Sequence, residues 1–160
     1  MPKVWANHAR KEGEPLSIAE DHFSLLWPRH VEGMIVLLSE LRDAFDGDLD
    51  AALILAVVGA ALLPKDEMPM SFSYAELLNQ RDIDFRKPLN TFSIAQVTGI
   101  PRETVRRKLA KMETMDWIVR DEKGHWKMGM RGRDDLQPMT ELSLKYISSI
   151  AEGIDLARTM

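Results

Sequence analysis

Five residues in one short stretch, Arg102, Glu103, Thr104, Arg106 and Arg107, carry side chains suited to the edges of base pairs. A guanidinium is a planar fork of donors that matches guanine O6 and N7. A carboxylate can accept from cytosine N4, and a threonine reaches a thymine methyl or a phosphate. Arg107 and Glu103 rank first among these expected base contacts because they lie opposite the apolar Val105 and Leu109. Lys108 points nearer the core flank. Lys111, Arg120, Lys123 and Lys127 are better placed for phosphate oxygens, where a positive charge fixes register without carrying sequence information.

Two helices and a hairpin must position this set. Ile94, Ala95 and Val97 give a short apolar face, and Gly99, a residue free to take φ > 0, marks a helix ending at Thr98 or Gly99. A second helix is predicted over 101–113. Pro101, with its fixed φ and missing N–H, suits a first turn, and Val105, Leu109 and Met112 follow at helical spacing. Trp117 to Arg120 and His125 to Met128 are β-prone runs around Asp121-Glu122-Lys123-Gly124, so a hairpin is predicted over 117–128.

A helix, a Gly turn, a basic helix and a hairpin in that order resemble the winged helix-turn-helix domain of bacterial transcription regulators, including the MarR-like, GntR-like and Crp-like groups. The wording TGIPRETVRRKLAKME carries the resemblance: Ala95, Gly99, Ile100, Thr104, Val105, Leu109 and Met112 fall where that pattern wants small, turn and core residues. The resemblance implies a mostly α fold with a small β-hairpin wing and extra N- and C-terminal helices. It implies that the 101–113 helix enters the major groove of double-stranded DNA. Terminal helices in such families commonly build a two-fold homodimer.

Charge placement agrees with that expectation. Pro101 to Arg133 holds ten basic residues against five acidic ones, a surplus of five, and since the whole chain carries −4 the remainder carries −9. A basic head on an acidic body docks on phosphates through one face. Solvated helix faces are the other reading of such a charge run. The 45% hydrophobic and 29% charged fractions are those of a globular chain. No cysteine is present, which excludes disulfides, thiolate metal sites and cysteine nucleophiles and permits a reducing compartment. MPKVWANHARKEGEP has basic residues but no apolar run after it, so a secretory signal is not expected and the chain is read as cytoplasmic.

The rest of the chain divides, on sequence, into a flexible arm over 1–16, a helical dimerisation or sensor region over 17–63, the winged domain over 64–133 and a C-terminal helix, read as dimerising, over 134–160. Ser17 to Glu20 has capping-box form before a short helix predicted to end at Trp27, where Pro28 should bar continuation. Val31, Met34, Ile35, Leu37, Leu38, Leu41 and Phe45 mark an amphipathic helix ending at Gly47. Ala51 to Leu63 is uncharged but shorter than the ~20 residues of a membrane span, so it is read as a buried helix with no membrane role. Ser73 to Glu76 can start a helix through Gln80, Thr91 or Ser93 can cap the helix before Gly99, and Phe92 is expected near the core. Lys87 to Thr91 offers weak support for a strand joining the hairpin. Gly129 to Pro138 is read as irregular, and Met139, Leu142, Tyr146, Ile147, Ile150 and Ile154 give the last helix an apolar stripe.

Enzymatic chemistry finds little footing. His8, His22, His30 and His125 are scattered, with no pair at the spacing of a helix-borne zinc site, and no phosphate loop, nucleophile elbow or paired-carboxylate motif occurs. No cofactor or metal is expected. Two other readings stay open: a winged module that binds protein, and an effector-gated repressor whose hydrophobic pocket for a small hydrophobic effector is lined by Trp27, Met34, Phe45, Met68, Met70 and Phe72.

Overall fold

Seven helices and one hairpin make up the described part of the computed structural model, which covers residues 14–63, 69, 71–79 and 89–160. In chain order they are α1 (Glu14–Asp21), α2 (Phe23–Ala44), α3 (Leu49–Leu62), α4 (Tyr74–Asn79), α5 (Thr91–Thr98), α6 (Arg102–Thr114), β1 (Ile118–Arg120), β2 (Trp126–Met128) and α7 (Met130–Arg158). The fold is thus mostly helical with one two-stranded antiparallel sheet. The strands pair in the register Ile118↔Met128, Val119↔Lys127 and Arg120↔Trp126. The chain forms two compact units. The first holds the described residues from 50 to 135, and the second holds 14–49 and 136–160. This division separates α3 from α2 and cuts α7 after its first turns.

In the first unit, local sequence sets each element. Ser73 and Glu76 form a capping box around the start of α4: the Ser73 N–H donates to Glu76 Oε2 at 2.6 Å and the Glu76 N–H donates to Ser73 Oγ at 3.3 Å. That pairing holds the Glu76 carboxyl below its ordinary range, chiefly through the backbone bond. The cap of α5 is Asn90, whose Oδ1 accepts from the Ser93 N–H at 3.0 Å, and not Thr91 or Ser93 as the sequence reading had it. Gly99 ends α5 in the left-handed region at φ 72. Pro101 is the N-cap of α6 rather than its first residue, with an extended ψ of 135. The helix closes in a Schellman arrangement. Asp116 takes φ 58, its N–H donates to Glu113 O, and the Trp117 N–H reaches back to Met112 O.

Ile94, Ile100, Val105, Leu109, Met112, Ile118 and Trp126 are buried around α5, α6 and the hairpin. No regular strand is described before α5, yet a single bridge occurs there: the Leu89 carbonyl accepts from the Trp126 N–H at 2.9 Å, and Leu89 is buried. Phe92, expected near the core, is 54% exposed. On α3, Ala51, Ala52, Ile54, Leu55 and Val58 are buried while Leu53 is 46% exposed, so only one face of this largely apolar helix is covered.

Gly129 to Pro138 is helical from Met130 onward, contrary to the irregular segment predicted. Two of its glycines lie in close contact with backbone. A Cβ on Gly129 would collide with the Asp116 carbonyl and one on Gly132 with the Trp117 carbonyl. The Gly129 N–H donates to Trp117 O at 2.8 Å and the Gly132 N–H to Asp116 O at 3.3 Å, so backbone ahead of β1 caps the start of α7. Trp117 Nε1 adds a bond to Asp135 Oδ2 at 2.8 Å.

In the second unit, α2 and α7 touch where glycine removes side-chain bulk. Gly153 faces Leu26 and Arg29, and Gly33 lies directly against the Tyr146 ring. These contacts advance along α2 and retreat along α7, so the helices run antiparallel. His30 Nδ1 and the Tyr146 hydroxyl share a 2.5 Å hydrogen bond beside them. Pro28 does not end a helix: it lies inside α2, and the break falls at His22, with φ −110 and ψ 34. Ser24 and Pro28 are both exposed, so the hydrogen bond that a residue-28 N–H would have made to the Ser24 carbonyl is missing on the exposed side of the helix. Asp134 and Pro138, also exposed, stand in the same relation within α7. The end of α2 comes at Ala44, before Gly47, with Asp46 in the left-handed region at φ 52. Ile147, predicted on the apolar stripe of the last helix, is 59% exposed.

Candidate nucleic-acid interface

The buried face of α6 dictates what its other face presents. With Val105, Leu109 and Met112 turned inward, Arg102, Glu103, Arg106, Arg107 and Lys111 are all exposed, and Thr104 and Lys108 lie half-buried on the flanks. The sequence-predicted base-contact set is therefore brought together on the first two turns of one helix. Arg102, Arg107 and Lys111 have no ion-pair partner among the described residues. Arg106 and Glu103 do, in each other: Arg106 Nε donates to Glu103 Oε2 at 2.9 Å and Nη2 to Oε1 at 2.6 Å. This hydrogen bond to the guanidinium holds the Glu103 carboxyl below its ordinary range and raises the Arg106 pKa. An i,i+3 spacing of opposite charges is the signal that could have revealed the pair in the sequence.

The hairpin splits the expected phosphate contacts. Lys123 stands exposed at the loop and Lys127 half-buried on the sheet face that Val119 shares. Arg120 is engaged inside the unit instead. Its guanidinium lies 4.2 Å over the Trp126 ring and its Nε sits 3.5 Å from Glu113 Oε1. A cation shared between an aromatic face and a carboxylate fastens α6 to the hairpin.

Asp121, not singled out from sequence, builds the loop. Its Oδ1 accepts from the backbone N–H of Lys123 at 2.9 Å and of His125 at 2.8 Å, and Gly124 completes the turn at φ 79. The bond from the His125 N–H, foremost, holds the Asp121 carboxyl below its ordinary range. An Asp opening a turn that ends in Gly is the signal for this role.

The other expected sites fare differently. Among the described residues no group of three His, Asp or Glu could hold a metal, and no helix is long and apolar enough to cross a membrane. Of the hydrophobic pocket set, Met68 and Met70 lie outside the described residues, Trp27 is 51% and Met34 37% exposed, and Phe45 is buried. Within the second unit an open cleft of about 520 Å³ has a mixed lining that includes Arg29, Glu32, Lys145 and Tyr146, and it uses none of that set. No protein-family model, curated protein or solved structure matches the chain.

Proposed function

We propose that this chain is a sequence-specific double-stranded DNA-binding regulator of transcription, with a winged helix-turn-helix made of α5, α6 and the β1–β2 hairpin. Helix α6 enters the major groove, and the hairpin rides on the backbone as a wing. The single observation that carries this reading is the division of α6, with three fully covered apolar residues on one side and the exposed Arg102, Arg107 and Lys111 on the other. A face that docked on protein would instead offer apolar or aromatic anchors. The Leu89 to Trp126 bridge supports the reading further, since it adds a third backbone segment to the hairpin edge.

The regulator acts as a homodimer. Phe23, Trp27, Ile35 and Leu38 on α2 and Ile147 on α7 are large apolar residues between 45% and 59% exposed, more uncovered apolar surface than one small unit is expected to leave in water. A two-fold pair sets two reading helices one helical turn of DNA apart.

Fluorescence anisotropy with labelled duplexes tests the reading. The wild-type chain should bind with an affinity that falls linearly in log–log against salt. Replacing Arg107 by Ala should weaken specific binding by about 1 to 3 kcal/mol and blur preference at one base pair, whereas Lys123→Ala should weaken all sequences alike. If neither substitution changed binding to any duplex, α6 would not be the reader.

A further inference from the structure

Glu103 and Arg106 are joined side on. The carboxylate takes the Nε–H and one Nη2–H of the guanidinium, at 2.9 and 2.6 Å. An arginine has five N–H donors in one rigid plane. Both Nη1–H groups and the second Nη2–H therefore remain, and one Nη1–H and that Nη2–H point together off the terminal edge of the plane, away from the carboxylate. That edge is still a two-donor fork of the kind that spans guanine O6 and N7. Glu103, by contrast, already accepts one hydrogen bond on each oxygen and has its charge compensated by Arg106, which makes its remaining lone pairs weaker acceptors.

We propose that Glu103 is a positioning residue that presets Arg106 to read a guanine, and that it does not itself read a cytosine. The inference rests on the DNA-binding reading of α6. A long side chain ordered before binding loses less freedom on binding. A neighbouring carboxylate also opposes a slide of the guanidinium onto a phosphate, which confines Arg106 to the base edge. The pair is solvent-exposed, at 64% for Arg106 and 75% for Glu103, so its members can be removed without opening the core. Arg107, one residue on, has no ion-pair partner among the described residues. The two adjacent arginines thus differ in kind: Arg106 is hydrogen-bonded to the carboxylate, and Arg107 feels it only through its charge.

The test uses the full chain and its best-bound duplex, with every base pair of that duplex replaced in turn, and compares wild type, E103A, R106A, R106K and the E103A/R106A pair. R106A should lower preference at one G·C pair roughly tenfold, and R106K should do the same because an ammonium has no fork. E103A should lower preference at that same pair about threefold and leave the others unchanged, and the double variant should match R106A, as expected of coupled neighbours. Thermal unfolding should be unchanged in all four. The proposal is overturned if E103A alters a different base pair independently of Arg106, or weakens every duplex equally, or has no effect. A wild-type chain with no preference among duplexes would sink the reading of α6 itself, a distinct outcome.

Discussion

Two regions, the α5–α6–hairpin cluster and the α2–α7 pair, treat most of their apolar residues in opposite ways. Around α5, α6 and the hairpin, Ile94, Val105, Leu109 and Ile118 are each 0% exposed, and the residues left in water are mostly charged. On α2 and α7, Ile35, Val36 and Ile147 are half exposed or more, and contact between the helices is made at glycines. A region whose apolar face is closed by its own chain can present its polar face as a rigid tool. A region with an open apolar face has surface to bury, and the proposed dimer would cover it.

Single substitutions sharpen this contrast. The largest effect is expected at Leu109→Ala, which empties a fully covered site and should lower stability by about 3 kcal/mol in urea unfolding. Next comes Gly132→Ala, where the new methyl meets the Trp117 carbonyl, a backbone atom that cannot turn aside. A loss of about 2 kcal/mol is expected there, despite the better helix propensity of Ala. Ile35→Ser should alter the folding stability of a subunit by less than ~0.5 kcal/mol, as at other exposed positions, yet shift the chain toward monomer in light scattering. An Ile35 variant that unfolds like Leu109→Ala would erase the distinction between the units.

The smallest effect is pH-dependent. The folded-state pKa of Asp121 lies below its ordinary 3.8, so its contribution to the loop is complete above that value and is lost as pH falls through and below it. Trp126 fluorescence should report a loosening of the hairpin in acid, and Asp121→Asn should remove that dependence at Asp121 while weakening the loop at neutral pH.

How much of this was legible in the sequence depended on how far each cause lies along the chain. Helix α6 was readable because Gly99, Pro101 and the spacing of Val105, Leu109 and Met112 act within a few residues, and the hairpin because Gly124 turns locally. The start of α7 was not, because Gly129 and Gly132 answer to the backbone at Asp116 and Trp117, a contact that composition does not reveal. Pro28 was given too much weight as a helix breaker, since it lies at an exposed position inside α2. The candidate base-contact residues were legible as a set, but spacing alone could not choose between Arg106 at i+3 and Arg107 at i+4 as the partner of Glu103. The engagement of Arg106 with Glu103, and of Arg120 with Glu113 and Trp126, depends on side-chain geometry across a helix face and across the hairpin.

The central claim is that a covered helix turns a basic face onto duplex DNA, twice, about a two-fold axis. Selection of bound sequences from a random duplex pool by the full chain tests it most directly. The account predicts an inverted repeat whose half-sites lie about 10 base pairs apart centre to centre, each with a fixed guanine. A recovered pool with no sequence in common, or one with a single unrepeated site, would contradict it.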